Sequence, residues 1–270
     1  MIRPLLCLGG LAITAVLMAL ALGSVNVSVS GLWQVIQGEG SALHRTLILD
    51  LRLPRTLAAF ATGGLLAVAG ALMQVLLRNP LADPYVLGLS GGAAVGALLA
   101  MLAGMGMLVI SGSAFAGAML ATLLVFGLAH GSGSWTPSRL LLTGVVVAAG
   151  WGAIITLILS MTPASRLPGM LYWLMGDLSH AATPWPGLII LVLVCLMVFP
   201  LGRALNVLAR GSLQAAALGV SVRPLEWSIY LMASLLTAAA VTMAGSVGFV
   251  GLVVPHMLRL VLGNDQRLIL

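Results

Sequence analysis

The side chains able to do chemistry in this chain are few and widely spaced. Arg52 and Arg55 flank Pro54 in Leu51-Arg52-Leu53-Pro54-Arg55. Two guanidinium groups so placed could pair with carboxylates on a partner, because the planar fork suits bidentate recognition. They could equally snorkel at a membrane interface, with stems in apolar surroundings and heads in water. Arg78-Asn79-Pro80-Leu81-Ala82-Asp83-Pro84 joins a cation, a turn signal and a carboxylate in one short run. Asn79-Pro80 reverses the chain, Asp83 suits a helix cap, and Pro84 suits a first helical position. On local physics this is a rigid reversal without evident chemistry. A third segment runs from Asn206 to Arg223. Within it Ser212-Leu213-Gln214-Ala215-Ala216-Ala217-Leu218-Gly219 reads as a short helix, with Ser212 as N-cap and Gly219 as the stop. Flanked by Arg210 and Arg223, it could lie on anionic lipid or dock into a soluble subunit.

Nothing here reads as a catalyst. There are no paired carboxylates, no metal-ligand spacing and no nucleophile–base arrangement, so no catalytic or metal-binding residue is assigned and no cofactor is expected. All 12 basic residues are arginine. Without lysine there is no Walker A phosphate loop, so ATP hydrolysis by that route must fall to another chain. Cys7 and Cys195 both lie in apolar runs, which indicates neither a disulfide framework nor a zinc site.

The elements that carry these residues are membrane helices. Of the 270 residues, 61% are hydrophobic and only 7% charged, whereas a soluble globule carries about 25% charge. The mean hydropathy is +1.16. Shortage of charge also excludes disorder. A spanning helix needs about 20 mostly apolar residues. Candidate spans are Leu5–Leu22, Leu57–Leu77, Val86–Ala103, Leu108–Ala129, Leu140–Met161, Leu188–Leu201, Trp227–Ala244 and Val247–Leu258. The reading is all-α: a polytopic transmembrane bundle of about eight spans, with residues 1–270 as a single domain. Ala19-Leu20-Ala21 offers a small-x-small cleavage pattern, but Arg3 is the lone charge before it, so the first span reads as a retained helix.

The net charge of +6 would suggest nucleic acid in a soluble protein. Here the arginines stand singly between apolar runs, so they set topology instead. A cytoplasmic N-terminus puts Arg3, Arg78, Arg139, Arg203, Arg210, Arg223, Arg259 and Arg267 inside. Only Arg45, Arg52, Arg55 and Arg166 then lie outside. Tyr172, Trp173 and Trp185 would flank the outer face as an aromatic belt. No span contains Asp, Glu or Arg, and beyond cysteine and tyrosine the one ionisable side chain within them is His256. Ion-coupled pumps carry intramembrane carboxylates, which counts against a self-powered transporter. His256 itself reads as a hydrogen-bonded structural residue. Gly88, Gly92 and Gly96 recur at every fourth position in the third span, as Gly63, Ala67 and Ala71 do in the second. Such faces serve close helix packing, or else line a pathway or subunit interface.

Taken in order, several segments form a series. Arg52-Leu-Pro-Arg55, Gly70-Ala-Leu-Met-Gln74, Arg78 through Pro84, and Gly88-Leu-Ser-Gly-Gly92 come first. Ser138-Arg139-Leu140-Leu141-Leu142, Tyr172-Trp-Leu-Met-Gly176 and Gly248 through His256, with Arg259, follow. The series resembles the permeases of bacterial type II ABC importers for iron-siderophore, haem and vitamin B12, over roughly residues 40–270. The resemblance implies ten helices per permease, arranged as an inverted repeat whose second half is incomplete here. It implies a second permease subunit in a homodimer, two cytoplasmic ATP-binding subunits, a periplasmic substrate-binding protein, and the bacterial inner membrane. It implies docking of the binding protein at Arg52 and Arg55. A cytoplasmic gate would be built from Asn79 and Leu81 together with Pro137 and Ser138. An ATPase-coupling helix within 206–223 would use Ser212, Ala215, Ala216, Leu218 and Gly219. About two further spans would be expected beyond Leu270, so the chain reads as partial. The cargo would be a bulky metal chelate (cobalamin, a ferric siderophore or haem).

Overall fold

The computed structural model describes residues 2–23, 25–130, 136–179 and 183–270. Those residues form helices and their connections. Helix α1 (Ile2–Ala21) is followed by α2 (Val29–Gln37) and α3 (Ala42–Arg45). A wide π-helical turn, Thr46–Arg52, joins α3 to α4 (Leu53–Leu76). After a 3₁₀ turn, Pro84–Leu87, come α5 (Leu89–Leu102), α6 (Met107–His130), α7 (Pro137–Met161) and the short α8 (Leu167–Met175). Helix α9 (Trp185–Val198) runs through a 3₁₀ turn into α10 (Gly202–Leu208). The chain ends with α11 (Ser212–Ala217), α12 (Val222–Ala244), α13 (Val250–Leu262) and α14 (Gln266–Ile269).

Six stretches are long and apolar enough to cross a membrane, and α5 and α13 are shorter apolar helices. These coincide with the eight spans read from the sequence. Their limits differ where a polar residue finds an internal partner. The second span is continuous from Ala42 to Leu76, because the π turn absorbs Pro54. Proline cannot donate to the preceding turn, and Leu53 N–H reaches back five residues to the Ile48 carbonyl instead. The sixth continues past Pro200 to Leu208. The last runs beyond Arg259, whose guanidinium donates to Gln74. Helix α2 was not anticipated. Ser28 caps it by accepting from Gly31 N–H at 3.1 Å, and Gly38 ends it at φ 82°.

Helices α4 and α12 form the centre, flanked by α6, α9 and α13, while α1 lies at the edge with its apolar surface uncovered. Leu65, Leu72, Met73, Leu76, Tyr230 and Leu236 are fully buried between them. Several polar groups in the centre bond within the bundle, as an apolar surround favours, while Thr62 Oγ1 and Ser234 Oγ are buried without a partner among the described residues. Thr237 and Thr242 hydroxyls donate to the carbonyls of Ala233 and Ala238, one turn back, at 2.7 Å each. Tyr230 Oη donates across to the Thr122 carbonyl at 2.7 Å, tying α12 to α6.

Small residues set the closest approaches, though not always the ones periodicity selects. Gly92 of α5 and Gly117 of α6 are reciprocal: a Cβ on either would lie 2.5 or 2.2 Å from the other's carbonyl oxygen. Gly96 likewise faces the Ser113 carbonyl. Gly88, by contrast, stands outside α5. It adopts φ 72° between the 3₁₀ turn and the helix, so it supplies a left-handed link rather than a packing face. In α4, Gly63 meets nothing within 4 Å, and the close crossing falls on Gly70 against Gly251 of α13.

Candidate functional site

The ends of the bundle carry the polar residues, and each end has its own cleft. One lies between the ends of α1, α4, α8 and α12 and encloses about 670 Å³, lined by residues including Arg52, Arg55 and Asp177. Arg52 is committed within it. Its Nη1 donates to the Leu20 carbonyl at 2.8 Å and the Ala21 carbonyl at 3.0 Å, and its Nη2 donates to the Val25 carbonyl. The guanidinium therefore caps the C-terminus of α1, where the helix dipole concentrates negative charge. A helix beginning at Pro54 would set this arginine against its positive dipole end. The continuous helix from Ala42 removes that start, and the nearest helix end is an attractive one. Arg55 is exposed beside it. Arg166 does for α5 what Arg52 does for α1, donating Nη1 to the Leu102 carbonyl. The short α8 packs Met170 against Leu98 and Ile158, leaving Tyr172 at the surface.

At the opposite end, α4 closes in a full Schellman motif. Asn79 N–H bonds the Gln74 carbonyl at 3.2 Å, and Arg78 N–H bonds the Val75 carbonyl at 3.3 Å. The left-handed position that usually holds glycine is filled by Arg78, at φ 50°, a conformation costing a non-glycine residue roughly 1–2 kcal/mol. Asn79 Oδ1 then accepts from Leu81 N–H at 2.9 Å, which turns Leu81 outward with 69% of its surface exposed. Asp83 caps the next turn by accepting from Tyr85 N–H at 2.8 Å. Burial pushes its carboxyl above the ordinary range, and that hydrogen bond partly offsets the rise. Pro137 begins α7, capped by the Thr136 side chain, and Ser138 is exposed in its first turn. Residues 131–135 of that connection lie outside the described residues.

Two polar networks hold this end, and neither was singled out from the sequence. Gln74 Nε2 donates to the carbonyls of Ala82 and Leu252 at 3.3 Å each, while its Oε1 accepts from Arg259 Nη1. This links α4, the turn after it and α13. Asn206 Nδ2 donates to Asp265 Oδ1 at 2.7 Å, and Asn206 Oδ1 accepts from Gln266 N–H at 2.8 Å. Arg267 completes the pair with Asp265 at 2.6 Å. These bonds hold the Asp265 carboxyl well below its ordinary range and raise Arg267. A polar Gln inside an apolar span was the available signal for the first network.

Helix α11 projects beside them. Gly211 rather than Ser212 is its N-cap, and no side chain caps it. Its stop is as read: Gly219 at φ 81° closes a second Schellman motif, with Val220 N–H on the Ala215 carbonyl at 3.0 Å. Ala215 is fully buried, whereas Leu213 and Leu218 are 87% and 72% exposed. Ala216 shares the exposed side, so Ala215 faces its own chain and the remaining residues face outward. His256 is exposed on α13.

A bundle of apolar helices with polar networks at its ends is the architecture of a polytopic membrane protein. The comparisons identify it as a transport permease. The model of the FecCD transport family matches residues 11–270. The vitamin B12 import system permease protein BtuC of Vibrio cholerae is 38% identical over 97% of this chain and 78% of its own. The hemin transport system permease protein HmuU of Yersinia pestis is 36% identical over all of this chain and 83% of its own. A solved metal-chelate type ABC transporter in an inward-facing conformation superposes with TM-score 0.88 at 27% identity, covering all of this chain and 84% of that one. The chain belongs to the FecCD transport family.

Proposed function

We propose that this chain is a permease subunit of an ATP-driven importer that moves a bulky metal chelate (cobalamin, haem or a ferric siderophore) across a bacterial inner membrane. Its N-terminus and the Asn79 end face the cytoplasm. Two copies form the pathway, two ATP-binding subunits grip α11, and a periplasmic binding protein docks over the Arg52 end. Residues 1–270 act as one permease domain.

The observation that carries this reading is α11. A six-residue helix flanked by Gly211 and Gly219 holds Leu213, and Leu218 just past its end, exposed away from the bundle. Exposed apolar side chains on a rigid, surface-anchored helix suit a protein groove. The relatives named for vitamin B12 and hemin support the chelate class. The test is uptake into proteoliposomes by the full-length permease assembled with its ATPase and binding protein, offered each of the three chelates. ATP-dependent uptake of one of them is expected. Uptake driven by an ion gradient without the ATPase would sink the reading in favour of a self-sufficient transporter.

A further inference from the structure

The cleft at the Asn79 end has a chemistry that transport does not use. It encloses about 710 Å³ between the ends of α4, α10, α13 and α14. Arg78, Arg210, Arg259 and Arg267 line it against a single carboxylate, Asp265. That carboxylate is already paired with Arg267, the salt bridge found among the described residues. Arg259 spends one nitrogen on the neutral Gln74 amide. Arg78 and Arg210 are exposed at the rim, and Arg78 holds its place in a strained left-handed conformation. Among the described residues, the positive charge lining the cleft exceeds the one carboxylate there.

The lining narrows the occupant. Guanidinium groups are permanently charged planar donors whose geometry suits phosphate oxygens. We propose that this cleft binds a phosphate-bearing anion, held by Arg78, Arg210 and Arg259. Two sources share that chemistry: an anionic phospholipid headgroup such as phosphatidylglycerol, and a soluble phosphate ester such as glycerol phosphate. A basic recess at the ends of membrane helices is open to either.

The full-length protein, purified in detergent, is examined by native mass spectrometry with phosphatidylglycerol and phosphatidylcholine. Stronger retention of phosphatidylglycerol is expected. R78Q/R210Q should lower phosphatidylglycerol retention by about tenfold, as loss of charge-assisted bonds implies. Competition by glycerol phosphate at millimolar concentration would assign the site to a soluble anion; its failure would assign the site to lipid. Should the double variant lose helicity, R210Q alone serves, since Arg210 lies between helices. Equal retention of anionic and zwitterionic lipid overturns the proposal. So does unchanged preference in the arginine variants coupled with lost ATPase affinity, which would make the cleft a protein-docking surface.

Discussion

Gly70 of α4 and Gly251 of α13 meet backbone to backbone: a Cβ on Gly70 would lie 1.8 Å from the Gly251 carbonyl oxygen. No side chain can yield at that contact, so the two helices must part. Overpacking of this kind costs about 1–3 kcal/mol. Gly70→Ala should lower the thermal midpoint of the purified protein, while Gly63→Ala, with open space around it, should leave it unchanged. Equal midpoints for both would show that α13 does not cross α4 here.

The two arginines at the other end should separate by experiment. Arg52→Gln removes the cap on α1 and should speed hydrogen exchange around Val25 and Val27, with little effect on binding-protein affinity. Arg55→Glu should leave exchange unchanged and weaken docking. A single exposed ion pair contributes about 0–1 kcal/mol, so reversal of both charges is the stronger probe. It should cost a few kcal/mol, or about a hundredfold in affinity. Binding of the wild type should also weaken with salt. Unchanged affinity of the double reversal at low salt would leave both arginines as structural groups.

Adjacent alanines in α11 should behave oppositely. Ala216→Arg places a long cation on the exposed side and should uncouple ATP hydrolysis from uptake without changing insertion. Ala215→Arg forces a charge into a fully buried position and should unfold the helix and lower yield. Normal coupling in Ala216→Arg would return α11 to the lipid surface.

Leu81 offers a test of the gate. With Cys7 and Cys195 replaced by serine, Leu81→Cys should form a disulfide between two copies in the resting state, and less of it when the ATPases hold nucleotide. The turn is rigid and the side chain points outward, so absence of crosslinking in every state would move it away from the pathway axis.

What the sequence made legible were features whose cause is local. Apolar run length marked every span, and Gly219 marked the stop of α11, because a Schellman motif closes within six residues. Asp83 and Pro84 read correctly as a cap and a first turn for the same reason. Contacts between distant segments were not legible. Gln74 and Arg259 are separated by 185 positions, and nothing near either names the other. The glycine pattern misled for a related reason. Spacing by four identifies a face but not its partner, so Gly88 looked equivalent to Gly92, and the stripe of Gly63, Ala67 and Ala71 missed the crossing at Gly70. At the candidate sites, residue types were visible and their commitments were not: Arg52 and Ala215 are occupied by their own chain, whereas Arg55, Leu81 and Ala216 are free to meet another.

The cap that Arg52 places on α1 also orders events during synthesis. The carbonyls of Leu20 and Ala21 await a guanidinium made 32 and 31 residues later. When α1 is complete that residue has not yet been made, so the carbonyls depend on water for their hydrogen bonds until the start of α4 follows.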